Sequence, residues 1–553
     1  MTTNFLPFAR EARMVAKTVN LDALIPRDDF VSDDSKAGGS PRQTISISDL
    51  QTNGFFQNCL RKPDFQRETT HWTASAVVDL IRAFLDGDLI PAVILWERGQ
   101  EIFVIDGAHR LSALIAWIRD DYGDGTASNG KFGSGLTDEQ RTVADQTRKL
   151  VRNEIGTYAE FAGLLGQAVS DPVKSRRLNS IGKTAVQIQW VTASTAKAAE
   201  ESFFKINQAA QPIDPIERRI LQTRTSPNAI ASRCIARGGK GHKYWKNFSS
   251  ENQEKIEGLG QEIYNLLYKP PHTEPITSAD VPIAGQGYNA LLFVFNLVSL
   301  ANGLKIPNSI TNKKIDDPLP PDPDGTTTIK FLENVKKYLQ TITTDEEGSF
   351  GFHPLIYFYA KSGQFLLNAF LASINFAIKL DKEKRRLDFT KVRRRFEDYL
   401  NENKLFVTLT IHRLGSGARS LDRIGDLYWK LFEEMHKEST DEEIFKLLVV
   451  SNEFVHLKQI EIPSLNATEE PSRKGASKQS KSAAFIREAL SNPVRCYICG
   501  AAIHKNAITF DHVDNLEEGG SNHSKNLKPV HPYCNSGFKE HFRAKGLALP
   551  KIA

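Results

Sequence analysis

The chain has 553 residues, a length that predicts about three domains. Its formal net charge of +5 is mild for this size, so contact with nucleic acid would have to come from local basic patches. No apolar run is long enough for a bilayer, and residues 1–34 lack the apolar core of a signal peptide. Five cysteines, three of them in one short C-terminal stretch, favour a reducing compartment. Together these features predict a cytoplasmic protein with no membrane partner.

A helix, two strands and a second helix are predicted in the first informative segment. The spacing of apolar residues between positions 77 and 85 predicts a helix with one buried face. Two strands follow at 93–96 and 102–105. The second strand runs into the sequence DGAHR at 106–110, and apolar residues from 111 to 118 then begin another amphipathic helix.

The DGAHR turn is a candidate anion site. Free backbone N–H groups and the positive end of the helix dipole meet at a turn between a strand and a helix. Arg110 offers a bidentate fork for phosphate, and Asp106 and His109 could bind a cation or transfer a proton. The alternative is an ordinary turn without a ligand, since D-G turns join strands to helices in many α/β proteins.

Residues outside the turn make this pattern more specific. Gln66 and Arg67 lie upstream, and the segment FFKINQAAQPIDPIERRIL, which contains Asn207, lies downstream. With the turn, they resemble the ParB/sulfiredoxin-like domain at the N-terminus of GmrSD- and SspE-type restriction proteins, over residues 40–225. That family usually has Gln where this chain has Ala108, so the resemblance assigns no role to this side chain.

The resemblance implies a nucleotide site with a regulatory role. A nucleoside triphosphate (NTP) is expected to bind or be hydrolysed at the turn, which would sense modified DNA or switch an attached nuclease. The residues expected to contact the nucleotide are Gln66, Arg67, Asp106, Gly107, His109, Arg110 and Asn207. Residues 1–225 are predicted to form this α/β domain. A competing interpretation is an idle domain that binds DNA without hydrolysing nucleotide.

Residues 226–465 are predicted to form a helical middle domain. The stretches YNALLFVFNLVSL and PLIYFYAKSGQFLLNAFLASINFAI are apolar but interrupted by Asn, Lys, Ser and Gly, so we expect buried helices rather than membrane spans. The segment KLDKEKRRLDFTKVRRRFEDYL is basic and could follow a phosphate backbone or simply be a solvated helix face. Residues 466–484 are polar and predict a flexible linker.

Two pairs of potential metal ligands occur near the C-terminus. Cys496 and Cys499 form a C-x-x-C pair, and His531 and Cys534 form an H-x-x-C pair. Four thiolate or imidazole ligands can close a tetrahedral Zn²⁺ site. Residues 485–553 cannot bury enough apolar surface by themselves, so structural zinc is expected to stabilise them. Between the pairs, AITFDHV alternates like a strand and a Gly-Gly pair breaks the chain, which predicts a hairpin followed by a helix.

Polar residues interleaved with these ligands predict a second chemistry. Asp511, His512, Asn526 and Asn535 have the order and spacing of the HNH (ββα-metal) nucleases, which this segment resembles. Phosphodiester hydrolysis needs a base and a divalent cation. His512 suits the base, and Asp511 and Asn535 offer hard oxygen ligands for Mg²⁺ or Mn²⁺. The resemblance gives Asn526 the role of bracing the loop and orienting His512.

Two alternatives to a nuclease remain open for this segment. It could be a zinc ribbon in which Asp511-His512 is an ordinary surface turn, or an inactive HNH-like module that only binds DNA. Lys539 and His541 follow on the next helix and could contact phosphate in either case.

The sequence therefore predicts an α+β multidomain protein with an N-terminal ParB-like α/β domain, a helical middle domain and a C-terminal zinc-stabilised ββα-metal HNH domain. The predicted function is a DNA endonuclease of a restriction or antiviral defence system, nicking or cutting both strands, regulated by an NTP-binding or NTP-hydrolysing sensor. DNA and an NTP are the expected partners, and self-association is left open. The alternative is a DNA-binding regulator with an inactive zinc-stabilised tail and no nucleotide hydrolysis.

Overall fold

The computed structural model describes residues 18–30, 42–52, 54–66, 72–132, 136, 138–192, 195–210, 215–285, 291–306, 319–415, 417–457 and 476–550. The chain forms two compact units. The N-terminal unit comprises Met1–Arg224 with Lys240–His242, and the C-terminal unit comprises Thr225–Gly239 with Lys243–Ala553. Within the described ranges, no helix combines the length and the apolar character needed to cross a membrane.

The N-terminal unit contains a six-stranded mixed sheet. Its strands are β1 Arg27–Asp28, β2 Thr44–Ile45, β3 Leu60–Pro63, β4 Val93–Arg98, β5 Glu101–Asp106 and β6 Val186–Trp190, in the spatial order β1-β3-β5-β4-β6-β2. β4 and β5 form an antiparallel hairpin, and the neighbours β3 and β6 run parallel to β5 and β4 respectively. The two strands predicted from the sequence are therefore confirmed, each slightly longer than expected.

Helices cover both faces of this sheet. The helices of the unit are α1 Phe55–Cys59, α2 Ala74–Asp86, α3 Ala108–Arg119, α4 Thr126–Phe132, α5 Asp138–Glu154, α6 Tyr158–Gly163, α7 Pro172–Ile181, α8 Ala196–Ala210 and α9 Pro215–Gln222. Along β5, Val104 joins the core shared with α2 and α3, whereas Phe103 and Ile105 join an aromatic core shared with α8. This alternation follows the two-residue period of a strand. It shows helices packed on both faces of the sheet, which is an α/β arrangement.

The C-terminal unit is mostly helical. Its helices before the zinc-ligand segment are α10 Pro227–Ala236, α11 Ser250–Tyr268, α12 Leu291–Ala301, α13 Thr326–Thr343, α14 Pro354–Tyr357, α15 Leu367–Lys382, α16 Arg386–Glu402, α17 Leu405–Leu414, α18 Ala418–His436, α19 Asp441–Val450 and α20 Lys478–Ser491. The two apolar stretches noted in the sequence lie in α12, α14 and α15, and most of their side chains are buried. Helices α15, α16 and α18 pack around an aromatic cluster in which Phe376 and Phe396 stack at 5.6 Å between ring centroids. We call α10–α19 the helical region.

A ββα module, residues 495–550, completes the C-terminal unit. Strands β7 Thr509–His512 and β8 Leu527–Val530 pair antiparallel, and a π-helical turn, Cys534–Lys539, continues into α21 Glu540–Ala544. The predicted hairpin followed by a helix is confirmed. The α+β multidomain fold class is confirmed with it, whereas the closer likeness to a ParB-like fold stays a prediction.

The predicted flexible linker, 466–484, is partly wrong. Residues 466–475 lie outside the described residues, but residues 478–484 belong to α20. Ser477 caps this helix, and Ile486 and Leu490, one turn apart, are buried in the core of the helical region. Good helix formers with this one-sided apolar spacing outweigh the polar composition of the segment, because the apolar face has a surface to pack against.

Candidate functional site

Four potential metal ligands converge at the base of the ββα module. Cys496, Cys499, His531 and Cys534 are all buried, and one ligand atom from each lies within 4.8 Å of the others. Tetrahedral Zn²⁺ with three sulfur ligands and one nitrogen ligand requires about 3.6–3.8 Å between ligand atoms. His531 Nδ1 lies 3.4 Å from Cys499 Sγ and 4.0 Å from Cys534 Sγ. The donor set and its spacing therefore fit Zn²⁺.

Backbone groups hold these ligands in place. The N–H groups of Cys499 and His531 donate to Cys496 Sγ over 3.5 and 3.4 Å. His531 Nε2 lies 3.1 Å from the Ala502 carbonyl oxygen, which leaves Nδ1 to face the thiols. Burial raises the pKa of the Cys496 thiol, but hydrogen bonds from Cys499, Cys534 and His531 lower it by more, so its pKa falls well below its ordinary value. The thiolate is the form that binds a metal.

The predicted catalytic pair lies at the end of the first strand of the hairpin. Asp511 is opposite Lys528, and His512 is opposite Leu527. Because successive side chains of a strand point to opposite faces, Asp511 and His512 lie on opposite faces of the hairpin. Asp511 is only 7 % exposed, and His512 is half-buried with Nε2 2.9 Å from Asn522 Oδ1.

Asn526 ties together the loop between the two strands. Its side-chain oxygen accepts from the Asp514 N–H over 2.7 Å, and its Nδ2 donates to the carbonyl oxygens of Asp514 and Ser521 over 2.9 and 2.8 Å. The carbonyl oxygen of Asn526 itself accepts from the Val513 N–H. These four bonds fix the backbone directly after His512, so they restrict the position of that side chain.

Lys539 connects the π-helical turn to β7. Its Nζ lies 2.5 Å from Asp511 Oδ1 and donates to the His512 carbonyl oxygen over 3.3 Å. Asn535 lies in the same π-helical turn as Lys539, four residues before it, and is half-buried. A carboxylate and an amide oxygen are ligand types that suit Mg²⁺ or Mn²⁺, and Asp511 Oδ1 is paired with the ammonium group of Lys539.

In the N-terminal unit, the DGAHR turn connects β5 to α3. Gly107 has φ +100° and precedes the first residue of α3, and a Cβ there would lie 2.6 Å from Val93 Cγ1, so only glycine fits. Arg110 Nη2 donates to Asp106 Oδ2 over 2.6 Å and to the Ala92 carbonyl oxygen over 3.1 Å. The guanidinium group thus braces the turn, where the sequence led us to expect it to project towards a phosphate.

The structure brings five of the seven predicted nucleotide contacts to this strand end. Besides Asp106, Gly107 and Arg110, these are His109, whose ring stacks on Trp72 at 5.6 Å, and Gln66, whose Nε2 donates to the Ile105 carbonyl oxygen over 3.3 Å. Arg67 lies outside the described residues, and Asn207 lies in α8, where its side chain is not described.

The basic segment of the helical region makes mainly internal ion pairs. Each of its arginines has a carboxylate partner, and the pairs are Arg385 with Asp388 and Glu433, Arg386 with Asp381, Arg393 with Glu397, Arg394 with Asp398, and Arg395 with Asp441. Among the alternatives left open by the sequence, these contacts favour a structural and solvated helix over a surface that follows DNA.

Sequence reasoning missed Asn522 as a partner of His512, and it did not separate Arg393 from the other arginines around it. Asn522 lies in a polar loop in which every residue type is common in turns. Arg393 occurs in a run of three arginines, and only the burial of its side chain distinguishes it. No local sequence signal marks either residue.

Two family models match the chain. Residues 47–226 match the model described as GmrSD restriction endonuclease, N-terminal domain, and residues 496–540 match the model described as HNH endonuclease. No curated protein and no solved structure matches. The chain therefore joins a GmrSD-type N-terminal domain to an HNH endonuclease domain, as the sequence resemblances indicated, and this combination supports a nuclease of a restriction system.

Proposed function

We propose that this protein is a DNA endonuclease of a restriction or antiviral defence system, and that it hydrolyses phosphodiester bonds at a one-metal site in the ββα module. The observation that carries the proposal is the convergence of β7, the loop held by Asn526 and the helical segment that carries Asn535 beside the Cys₃His cluster. Asp511 is buried against this helical segment, and His512, the last residue of β7, is half-buried beside Asn522.

His512 is the proposed general base. A half-buried imidazole at a strand end can remove a proton from water close to a phosphate, and Asn522 Oδ1, 2.9 Å from Nε2, selects the orientation of the ring. Asn526 is a positioning residue in this scheme, because its bonds to the backbone of residues 513, 514 and 521 hold the chain that carries His512.

Asp511 and Asn535 are the proposed ligands of Mg²⁺ or Mn²⁺. The bound cation would stabilise the charge that develops on the phosphate and on the departing 3′ oxygen. Lys539 lies against Asp511 and holds the carboxylate on the side of Asn535. Cys496, Cys499, His531 and Cys534 are assigned to a structural Zn²⁺, which compensates for the small core of the module.

The N-terminal unit is proposed to bind an NTP and to regulate the nuclease. Support comes from the N-terminus of α3, which Gly107 precedes, and from the cluster of Gln66, Asp106, His109 and Arg110 around it. Because Arg110 is engaged with Asp106, nucleotide binding would require the guanidinium group to be shared with phosphate or to exchange partners.

The test is metal-dependent nicking of a supercoiled plasmid by the purified full chain. Nicked or linear DNA should form with Mg²⁺ or Mn²⁺ and not with EDTA. The assay is carried out with and without each NTP, and with both unmodified and modified plasmid. If the zinc-containing protein binds DNA but leaves every plasmid intact under all these conditions, the protein is a DNA-binding regulator with an inactive tail, and the nuclease proposal is wrong.

A further inference from the structure

The zinc-ligand cluster rests directly on the helical region. The loop between α13 and α14 contacts it through Gly351, where an added Cβ would lie 2.6 Å from Ala507 Cβ and 3.1 Å from His531 Cδ2. Two residues earlier, the Ser349 carbonyl oxygen accepts from the Tyr533 N–H over 3.0 Å. This loop therefore contacts His531, a predicted zinc ligand, and Tyr533, which directly precedes the predicted ligand Cys534.

Arg393 of α16 holds that loop from behind. Its side chain is only 2 % exposed, and its Nη1 and Nη2 donate to the carbonyl oxygens of Phe350 and Gly351 over 2.5 and 3.1 Å. Its Nε donates to Glu397 Oε1 over 2.7 Å. Burying a guanidinium group costs desolvation free energy, which its three hydrogen bonds partly offset. The fixed geometry of these bonds holds the groups that accept them in place.

Glu397 reaches the metal-ligand cluster by a second route. Its Oε2 accepts from the Ala502 N–H over 3.2 Å, and the Ala502 carbonyl oxygen lies 3.1 Å from His531 Nε2. Tyr357 completes the carboxylate's environment by donating its hydroxyl to Oε1 over 3.1 Å. Ala502 thus connects the two groups, since its N–H bonds to the Glu397 carboxylate and its carbonyl oxygen lies against the His531 imidazole.

The charges agree with this geometry. Burial lowers the pKa of Arg393, but the neighbouring negative charges, that of Glu397 first among them, raise it by more, so the guanidinium stays protonated beside that carboxylate. Groups that hydrogen-bond to metal ligands fix their orientation, and their loss typically reduces metal affinity by about 10- to 100-fold.

We propose that Arg393 and Glu397 are positioning residues for the zinc site, supplied by the helical region about a hundred positions before Cys496. The inference rests on the zinc assignment of the proposed function and extends it. Zinc retention in the ββα module then depends on α16, and the module is a fixed part of the C-terminal unit. The flexible linker predicted from the sequence would leave the ββα module free of the helical region, and these contacts are incompatible with that arrangement.

The test is the rate at which the full-length protein transfers zinc to a chromogenic chelator, measured below the unfolding temperature of each variant. Arg393→Met and Glu397→Gln should each release zinc about tenfold faster than the wild type. Arg395→Met is the matched control, since Arg395 lies on the same helix but pairs with the exposed Asp441. It should release zinc at the wild-type rate.

A second control separates positioning from general loss of stability. Leu431→Ala, in the core of the helical region, should lower the unfolding temperature without a comparable increase in zinc release at the same interval below that temperature. Wild-type release rates in both Arg393→Met and Glu397→Gln would overturn the inference, and so would equally fast release from Leu431→Ala. A zinc-containing protein that does not cut DNA would contradict the proposed function alone, whereas a folded wild type without zinc would overturn this inference.

Discussion

The DGAHR turn and the ββα hairpin are both polar motifs at the end of a strand, but their side chains are used differently. In the N-terminal unit, Arg110 bonds through Nη2 to Asp106 and to the Ala92 carbonyl oxygen, whereas its buried Nε has no hydrogen-bond partner among the described residues. In the C-terminal unit, the residues around His512 are held by the loop residue Asn526 and by Lys539 on the next helical segment. The second motif therefore depends on contacts with residues that lie further along the chain, Asn526 and Lys539.

Because of this difference, the C-terminal unit supports a more detailed functional assignment than the N-terminal unit. A turn braced by its own ion pair does not by its geometry identify a nucleotide. Four buried metal ligands within 4.8 Å have the donor set and the spacing of a zinc site, so they indicate which kind of ion fits.

The largest effect is expected from removing a zinc ligand. Cys499→Ser should abolish zinc binding, because serine is a poor ligand for Zn²⁺, and should destabilise the C-terminal unit by several kcal/mol, on the order of 3–5. Since the module packs on the helical region, the loss should extend beyond residues 495–550. Zinc content by metal analysis and unfolding by circular dichroism provide the measurements, with Cys59→Ser as the control.

The next effect concerns the loop that positions His512. Asn526→Ala removes three side-chain hydrogen bonds and should slow nicking about 10- to 100-fold, while zinc content and DNA binding remain at the wild-type level. Asn492→Ala, an exposed asparagine at the end of α20, serves as the control. Nicking by Asn526→Ala at the wild-type rate would remove Asn526 from the mechanism.

A smaller effect is expected at the DGAHR turn. Arg110→Ala should weaken triphosphate binding about tenfold in calorimetry, because it removes a charge from the N-terminus of α3, and should leave the zinc content unchanged. Arg82→Ala, which removes a more exposed arginine from α2, should leave binding unchanged. If the wild type binds no NTP even with DNA present, the N-terminal unit does not act as a nucleotide sensor and the idle-domain interpretation is correct.

The smallest effect, and the only one that depends on pH, concerns Lys404. Burial lowers the pKa of its ammonium group to about 7, and the structure gives this group one weak bond, 3.5 Å to the Leu355 carbonyl oxygen. The folded state therefore binds fewer protons than the unfolded state between pH 7 and 10.5, so this lysine destabilises the protein most below pH 7. Lys404→Met should stabilise the C-terminal unit by about 1–3 kcal/mol at pH 6 and by less at pH 9.

The sequence predicted the local elements better than the contacts between distant ones. Strands β4 and β5, helices α2 and α3 and the ββα order follow from periodicity and turn residues, and the structure contains them all. The metal-ligand cluster was also predictable, because C-x-x-C and H-x-x-C spacing has few other uses. The helix at 478–491 was missed because its apolar face is short and meaningful only against the core of the helical region.

Two further features could not be read from the sequence. Arg393 is one arginine among several, and only the fold shows that it alone of the run is buried against the loop under His531. The bond between Arg110 and Asp106 likewise depends on the angle at which α3 leaves the turn, which the motif does not specify. In both cases the function of a side chain depends on its tertiary neighbours.

The most direct test of the central claim is the single-turnover nicking rate of His512→Ala compared with the wild type, at equal zinc content and saturating Mg²⁺. Removing the base should slow nicking by at least about 10²- to 10⁴-fold, while zinc, DNA binding and NTP binding are unchanged. His412→Ala, on α17, should nick at the wild-type rate. Equal rates for His512→Ala and the wild type would contradict the HNH assignment and leave the module as a zinc-stabilised binding domain.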